Sequence, residues 1–438
     1  MDPTTQNEED TGGIDRINSL SNSILCHILS FLPTKTCVAT SLVCRRWRNL
    51  WEHVKVLNLC DDAFKAYGNL DLFERFAIFV NGVLALRKCR EIQKLCLKCE
   101  YSLVDMLSSI SITTWVRAAI GPQLEELRLD LYPMDGPEFV VPRTLFTCTN
   151  LVSLYLCGPI NIHNLSLVQL PSLKVLQLNI VSVDSIQALL YGCPILETLD
   201  LSFSTTSFPM LRFPPSLKRL NFVVYDKSGT YLEFDTPCLN YLRIGQSFAP
   251  FKCSYCHLHK VVEANLDVYV AYEYMFRKLL HALSGVKHLV LGCSTTKNMI
   301  RAPTLDIPKF RYLHELELVL PHFNMSFVVK ILEKCHMLRL LTIENNNEPS
   351  KWGKPPRAPI FHHVLHLTFI HYKGYQGFTD ELEFLAYVLR EGIVLERMII
   401  STDRFLDIQQ KNKVLKNLLA LPRCSSMCEI KFDCATSP

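Results

Sequence analysis

The chain has 438 residues, of which 49% are hydrophobic, 20% are charged and only 16 residues are glycine. This composition is typical of a folded globular protein and excludes a glycine-rich fibrous chain or a disordered one. Its 46 basic and 42 acidic residues leave a formal net charge of +4, which gives no long-range attraction to nucleic acid or to an anionic membrane. We therefore expect a protein that binds neither and that recognises its partners by local shape.

The chain ends and the cysteines indicate a compartment. Residues 1–13 are polar, lack the pattern of a signal peptide and are predicted to be disordered, and no apolar run has membrane-spanning length. The 18 cysteines are spread over the whole chain, so we expect reduced thiols and no structural disulfide. These features predict a location in the nucleus, the cytoplasm or both.

Two short helical patterns separated by Pro33 begin the organised part of the chain. Ser21 is a suitable N-cap for the first pattern, and Pro33 ends it. A helical pair this short cannot bury all of its apolar surface alone, so it needs a partner chain or the rest of the protein. The first stripe comprises Ile24, Leu25, Ile28, Leu29 and Leu32, and the second comprises Val38, Leu42, Val43, Trp47, Leu50 and Trp51, with Arg45, Arg46 and Arg48 between its members.

An internal repeat of the form apolar-x-x-apolar-x-apolar dominates the chain from about residue 54. Four successive steps between copies are 22, 23, 21 and 22 residues, which is the range of leucine-rich repeats. The last apolar pair of each copy predicts a short strand with both side chains inward, and prolines before many copies predict connections of loops and short helices. Clear copies start at Leu124, Leu151, Leu173, Leu196, Leu217 and Leu239, and looser copies at Val54, Ile92, Val261, Val286, Leu313 and Leu338.

The C-terminal part follows a Pro-rich, charged stretch at residues 348–359, which marks a boundary or a long loop. Copies of the repeat then start at Val364, Leu395 and Met427, with longer steps between them. A helical pattern over residues 380–390, with acidic residues in its first turn, explains the added length. This order predicts strand, helix, strand, helix, strand.

Three groups of residues resemble a known plant family. The segments 15–20, 24–35, 38–41 and 45–51 resemble the plant-type F-box, and the segments 380–383, 394–398 and 421–426 resemble the FBD domain. Together with the repeats, the resemblance covers nearly the whole chain. It implies an α/β protein with a helical F-box at residues 14–53, a leucine-rich-repeat solenoid with a curved parallel sheet at 54–354, and an α/β FBD region at 355–438.

The resemblance also implies partners. A Skp-type adaptor would dock on the F-box, a cullin and a RING subunit would lie beyond it, and the repeats would hold a protein target for ubiquitination. In place of the family's usual proline and acidic pair, this chain has Ser21-Asn22-Ser23, which weakens the start of the helix although Ser21 can cap it. The residues implied to face the adaptor are Leu20, Ile24, Leu25, Ile28, Leu29, Leu32, Pro33, Val43, Trp47 and Trp51.

The repeat register predicts a target-binding face. Residues that flank the inward pair of each strand should point onto one concave sheet surface, where arginine and aromatic side chains are the best anchors. We select Arg128, Tyr155, Arg219, Tyr241, Arg243, Glu263 and Asp267 as candidate target contacts. The whole predicted face adds Glu126, Asp130, Gln177, Asp200, Asn221, Asn265, Glu315 and Glu317.

Signals for metal binding or catalysis are weak. The pairs Cys96/Cys99 and Cys253/Cys256, the second followed by His257 and His259, match half of a zinc site, and His362, His363 and His366 have no ligand partner at a suitable spacing. The motifs of a phosphate-binding loop, a nucleophile elbow and a zinc protease do not occur. We therefore expect no catalytic residue, no metal and no cofactor.

Three functions remain open. The first is a non-catalytic substrate receptor of a Skp–cullin–F-box ubiquitin ligase, which tethers its target beside the ubiquitin carrier. The second is an interaction scaffold that binds targets without their degradation, because the altered F-box no longer engages an adaptor. The third is a receptor in which a small molecule on the concave face completes the target site.

Overall fold

The computed structural model describes most of the chain. Among the described residues, no helix combines the length and the apolar character that crossing a bilayer requires. The predicted disordered N-terminus, His257, His362, His363 and the whole Pro-rich stretch lie outside the described residues. Those residues are 16–65, 72–100, 106–132, 138–162, 165, 167–183, 186–205, 211–226, 231–246, 252–256, 258–269, 273–302, 304–346, 366–403 and 406–433.

Helices occur at both ends of the chain and are short in its middle. Short 3-10 segments lie at Thr40–Leu42, Leu50–His53, Asp61–Phe64 and Arg143–Thr147. The α-helices of the described residues are α1 (Asn22–Leu29), α2 (Thr34–Ala39), α3 (Leu72–Leu86), α4 (Met106–Ala119), α5 (Ile186–Tyr191), α6 (Glu273–Ala282), α7 (Cys293–Arg301), α8 (Met325–Leu332), α9 (Thr379–Glu391) and α10 (Ile408–Leu419).

Strands follow the repeat along the chain. They are β1 (Val56–Cys60), β2 (Lys94–Cys99), β3 (Glu126–Leu131), β4 (Phe139–Val140), β5 (Ser153–Ile162), β6 (Val175–Val183), β7 (Thr198–Thr205), β8 (Leu211–Arg212), β9 (Arg219–Asp226), β10 (Tyr231–Phe234), β11 (Tyr241–Gln246), β12 (Lys252–Cys256), β13 (Glu263–Asp267), β14 (His288–Leu291), β15 (Glu315–Leu320), β16 (Leu340–Asn345), β17 (Phe369–Tyr375), β18 (Arg397–Thr402) and β19 (Glu429–Asp433).

One parallel sheet connects the repeats from β1 to β19. Its order within the described residues is β1-β2-β3-β5-β6-β7-β9-β11-β13-β14-β15-β16-β17-β18-β19, with β4 paired to β5. Each strand lies beside the strand of the next repeat, as expected when every repeat contacts only its neighbours. The predicted fold class, helical at the N-terminus and then an array of repeats around a long parallel sheet, is confirmed.

The inward leucines form a continuous core. Consecutive Cα partners across five strands are all leucine, and each is at most 1% exposed. Because side chains alternate along a strand, the same register sends the intervening residues to the opposite side of the sheet. These five leucines are Leu127, Leu154, Leu176, Leu199 and Leu220.

The connections between strands differ along the array. In its middle, where prolines precede the repeats, they contain loops, the six-residue α5 and a second parallel sheet of order β12-β10-β8, which the sequence did not reveal. In the early repeats the prediction of short helices is wrong, because α3 has 15 residues and α4 has 14. Neither segment contains a proline, so nothing interrupts the helical pattern.

The second helical pattern of the N-terminal region does not form one helix. Helix α2 ends at Ala39, and after the short 3-10 segment residues 45–49 form turns. The hydroxyl of Thr40 donates to the carbonyl of Cys37 at 2.6 Å, which competes with continued helix formation. The indole Nε1 of Trp47 donates to Asn18 Oδ1 at 2.8 Å and holds the turn against the N-terminal segment.

The C-terminal region follows the predicted order of strand, helix, strand, helix, strand. Strands β17, β18 and β19 extend the same sheet, and β17 pairs directly with β16. The helix predicted at residues 380–390 is α9, one residue longer at each end. The repeats and the C-terminal region therefore share one sheet on both sides of the predicted boundary at residue 354, which itself lies outside the described residues.

A buried carboxylate joins these two regions. Glu381 is fully buried, and its Oε2 accepts three backbone N–H groups of residues 376–378 at 2.8–3.1 Å. Its Oε1 accepts from Asn345 Nδ2 at 3.0 Å and from the Tyr372 hydroxyl at 2.9 Å. Burial raises the pKa of the Glu381 carboxyl, and these hydrogen bonds oppose the rise. The carboxylate thus fixes the start of α9 to the end of β16.

Candidate functional site

Two surfaces are candidates for binding: the helical N-terminal segment and the solvent-facing side of the long sheet. In the N-terminal segment, Ser21 is the N-cap of α1, and its Oγ accepts from Ile24 N at 3.4 Å. The predicted cap is therefore present. Two neighbouring apolar stripes follow along α1 at helical spacing, one through Leu25 and Leu29 and one through Ile24 and Ile28.

The stripe through Leu25 and Leu29 is buried inside the segment. Both side chains are 0% exposed and pack with Cys37, Leu50 and Val54 in a small core. The structure therefore places these two predicted adaptor contacts in the core of the segment, and their contact with an adaptor stays a prediction. The helical spacing along α1 allows either stripe to face inward. Contacts with Cys37, Leu50 and Val54, which are distant in sequence, select the stripe through Leu25 and Leu29.

The other stripe is exposed and continues onto the following turn. Leu42 is 88% exposed and Val43 is 69% exposed, although both are large apolar residues. Sequence reasoning missed Ile17, Phe31 and Leu42 as members, although Phe31 continues the i, i+4, i+7 spacing of Ile24 and Ile28. We name this the F-box surface, consisting of Ile17, Ile24, Ile28, Phe31, Leu42 and Val43. Of the other predicted adaptor contacts, Pro33 is exposed and Leu20, Leu32, Trp47 and Trp51 are half-buried.

The unusual Ser21-Asn22-Ser23 start has a structural role. Asn22 Oδ1 accepts from Arg46 Nε at 3.4 Å and from Nη2 at 3.2 Å, and Arg46 also donates to the carbonyl of Leu20. The arginine thus ties the start of α1 to the turn that carries Trp47. The cap of Ser21 and the contact of Asn22 thus hold the start of α1 in a chain that has no proline there.

The helical segment is attached to the first strand of the sheet. Thr34 Oγ1, at the start of α2, accepts from Asn58 N of β1 at 2.8 Å. Lys35 Nζ donates to the carbonyl of Ala63 at 2.5 Å and lies 4.2 Å from the ring centre of Phe64. These contacts fix the F-box surface relative to the sheet.

The second surface, which we name the strand face, is formed by the side chains opposite the inward leucines. The register places the predicted residues on it, and all but Asp130 are at least partly open to solvent. Glu126, Arg128, Arg219, Arg243 and Glu263 are exposed, and Tyr155, Gln177, Asp200, Asn221, Tyr241, Asn265, Asp267, Glu315 and Glu317 are half-buried.

Four of the predicted target contacts form two stacked arginine–tyrosine pairs. The guanidinium of Arg128 lies 4.0 Å from the ring centre of Tyr155 on the next strand, and that of Arg219 lies 4.1 Å from the ring of Tyr241. Each pair joins direct Cα partners. Three strand spacings separate Tyr155 from Arg219, roughly 14 Å. The strand face therefore carries two preformed cation–π platforms.

Carboxylates toward the two ends of the strand face contact basic side chains, whereas three charged residues of its central strands do not make such contacts within the described part of the chain. Lys94 contacts Glu126 at 2.7 Å near one end, and His288 contacts Glu315 at 2.7 Å toward the other. In the described residues, Arg219, Arg243 and Glu263 have no ion-pair partner. The central strands β9, β11 and β13 thus present charges that a partner can still neutralise.

Asp130 and Asp267 are among the acidic residues of the predicted face that already contact other groups of the chain. Asp130 is only 4% exposed, and its Oδ2 contacts Arg128 Nη2 at 3.2 Å. Asp267 Oδ1 accepts from Ser294 N at 2.8 Å and so supports the start of α7. The prediction that Asp267 is a target contact stays untested, but one of its oxygens is occupied by the fold.

Comparisons with known proteins agree with this geometry. An F-box domain profile matches residues 17–59, and the profile "FBD-associated F-box protein At5g56370, LRR repeats" matches residues 112–269. FBD-associated F-box protein At5g56370 of Arabidopsis thaliana is 30% identical over 456 residues, covering 96% of this chain and 100% of the relative. The chain belongs to the F-box/FBD/LRR-repeat family.

Other members of the family are similarly related. F-box/FBD/LRR-repeat protein At4g26340 of Arabidopsis thaliana is 29% identical over 453 residues, with 96% of this chain and 100% of the relative covered. FBD-associated F-box protein At4g13985 of the same plant is 26% identical over 442 residues, with 95% and 96% covered. F-box/LRR proteins are generally non-catalytic adaptors, and F-box domains generally bind Skp1-type adaptors.

In this F-box/FBD/LRR protein, the described cysteines and histidines that were candidate metal ligands lie on strands or at the surface. Cys96 is half-buried on β2 and Cys99 is buried, and burial raises the pKa of both thiols, which disfavours the thiolate that a metal needs. Cys253 and Cys256 lie on β12, and His366 is exposed. In the described part of the chain, no three His, Cys, Asp or Glu residues are grouped so that they could hold a metal ion.

Proposed function

We propose that the protein is the substrate-recognition subunit of a Skp–cullin–F-box ubiquitin ligase. The observation that carries the proposal is the exposure of large apolar side chains on the F-box surface. The small core beneath them is made from other residues, so the segment is folded while Phe31, Leu42 and Val43 remain in water. A surface of this kind is typical of a protein interface.

Docking of a Skp-type adaptor supplies a reason for this exposure. Covering one large apolar side chain contributes about 1.5–3 kcal/mol, so covering several offsets the cost of association. The adaptor would link the chain to a cullin and a RING subunit. The ordered start of α1, with the Ser21 cap and the Asn22–Arg46 contact, supports an adaptor-competent F-box in spite of its altered sequence.

A protein target would bind the strand face. Arginine and tyrosine are enriched among residues that dominate binding energy, and the pair Arg219–Tyr241 is preformed beside the open charges of Arg243 and Glu263. We place the main target contact on these central strands, with Arg128–Tyr155 as a second anchor. The two platforms fit a protein surface because they span several strands.

The chain itself would do no chemistry. Holding a target beside the charged ubiquitin carrier raises the effective concentration of a target lysine at the carrier's thioester. The fixed attachment of the F-box to β1 supports this role, because it limits the positions that the target can take relative to the adaptor. We place this activity in the nucleus, the cytoplasm or both.

The test is co-purification of the full-length chain with a Skp-type adaptor. The decisive variant is Leu42→Asp with Val43→Asp, which puts two charges on exposed positions without entering the core. A matched control is Ile393→Asp with Val394→Asp, which are 59% and 45% exposed at the other end of the chain. We expect a one-to-one complex that survives in the control and weakens at least about a hundredfold in the F-box variant, a difference of about 2.7 kcal/mol.

Two results would argue against the proposal. Equal adaptor binding by the F-box variant would show that the F-box surface is not the docking site. No binding by the intact chain would favour the interaction scaffold instead. Target binding without target degradation in cells would then be the expected behaviour.

A further inference from the structure

A groove lies away from both candidate surfaces. Its volume is 770 Å³, and it is formed by the end of α4 and by the segment that follows β4. The walls combine apolar side chains, Ile120, Val140 and Pro142, with two arginines, Arg117 and Arg143. These residues belong to the connections between repeats and not to the strand face.

One wall of the groove is held rigidly. Helix α4 buries Ile112, Trp115 and Val116 in the core of the repeats, and Trp115 Nε1 donates to Asn81 Oδ1 of α3 at 2.8 Å. Arg117 lies on this anchored helix, so its backbone position does not depend on a ligand. A preformed wall lowers the entropic cost of binding.

The charge of the groove is uncompensated. Among the described residues, the lining contains no carboxylate, and neither Arg117 nor Arg143 makes an ion pair or a side-chain hydrogen bond. On the strand face, by contrast, Lys94, Arg128 and Arg397 each have a carboxylate within 4 Å, and the unpaired Arg219 is stacked on Tyr241. Two unpaired guanidinium groups beside exposed Val140 therefore favour a ligand that is both anionic and apolar.

We propose that this groove binds an acidic peptide segment of a partner protein. Carboxylates of the peptide would pair with the guanidinium groups of Arg117 and Arg143, which match carboxylate geometry. Apolar side chains of the same segment would pack on Ile120, Val140 and Pro142. A nucleic acid fits less well, because it needs a longer basic surface and gains little from aliphatic walls.

The experiment measures fluorescence anisotropy of a short fluorescein-labelled peptide in which glutamates alternate with leucines. The full-length chain is titrated against it, and a second peptide replaces every glutamate by glutamine. The variant is Arg117→Gln with Arg143→Gln. The control is Arg311→Gln with Arg339→Gln, which removes the same charge from exposed positions in later repeats. Thermal unfolding checks that both variants fold.

We expect the glutamate peptide to bind at least about tenfold more tightly than the glutamine peptide. The groove variant should lose this preference, and the control should keep it. Equal binding of the two peptides, or unchanged binding by the groove variant, would overturn the proposal. So would tighter, groove-dependent binding of a single-stranded RNA of equal length. The assay needs no adaptor, so its outcome is independent of the ligase proposal.

Discussion

The F-box and the repeat array use apolar residues in opposite ways. In the described part of the array, most leucines of the strands point inward, and the residues between them, many of them charged, lie on the strand face. In the F-box, five buried residues form the core while Phe31, Leu42 and Val43 stay outside. The difference follows from size: a repeat is completed by its neighbours, whereas a segment of about forty residues has too little interior for its apolar side chains.

This comparison predicts that the F-box is the less stable of the two regions. Leu29→Ala leaves a cavity in a core with few other members and should cost about 2–5 kcal/mol. We expect the buried thiol of Cys37 to become reactive toward a thiol reagent while Cys335 in the array stays protected. Phe31→Ala, at an exposed position, is the control and should change neither thiol. Simultaneous exposure of both thiols would mean that the two regions unfold as one unit.

At the other end of the sheet, we expect stability to depend on Glu381, which joins the repeats to the C-terminal region. Glu381→Gln replaces the carboxylate by an amide, which has one oxygen instead of two. That single oxygen cannot accept from all the backbone and side-chain donors that the two carboxylate oxygens serve. We expect a loss of about 1–3 kcal/mol, measured by denaturant unfolding, because buried donors are left without acceptors. Glu383→Gln, on the exposed side of the same helix, should cost far less. Equal effects of the two substitutions would contradict the role assigned to the buried carboxylate.

The two regions should also differ in alkaline solution. Burial raises the pKa of the Cys37 thiol to about 11 and of the Cys335 thiol to about 12, from an ordinary value of 9.0. Unfolded thiols release their protons above pH 9 and folded ones do not, so the free energy of unfolding is undiminished below pH 9 and falls as the pH rises.

The free energy of unfolding should fall by up to about 1.4 kcal/mol per pH unit for each thiol. It should end near pH 11 for Cys37 and near pH 12 for Cys335. Denaturant unfolding as a function of pH measures the slope, and Cys335→Ala should reduce it in the array alone. A slope that this substitution leaves unchanged would count against the burial of the thiol.

The smallest expected effect concerns the start of α1. Asn22→Ala removes the amide oxygen that Arg46 contacts and should cost about 0.5–1.5 kcal/mol, with a matching loss of Cys37 protection. Ser23→Ala, at the next exposed position, is the control. If the two substitutions behave alike, the contact does not compensate for the altered sequence.

Much of the array followed from the sequence because its information is local and repeated. The spacing of Leu151, Leu173 and Leu196 fixed the strand positions and the inward face. The F-box was harder, because Leu25 and Ile24 lie on adjacent stripes and only Leu50 and Val54 decide which stripe is buried. The donors to Glu381, the small second sheet and the groove at Arg117 all depend on contacts between residues far apart in the chain.

The attachment of α2 to β1 has a consequence for how such proteins can change in evolution. An open parallel sheet presents unpaired backbone groups at its first strand, and the Thr34 hydroxyl occupies one of them at Asn58. The F-box therefore covers the first strand of the sheet and also carries the proposed docking surface. Repeats can be gained or lost in the middle of the array without disturbing it, whereas exchange of the F-box would uncover an edge along which chains associate.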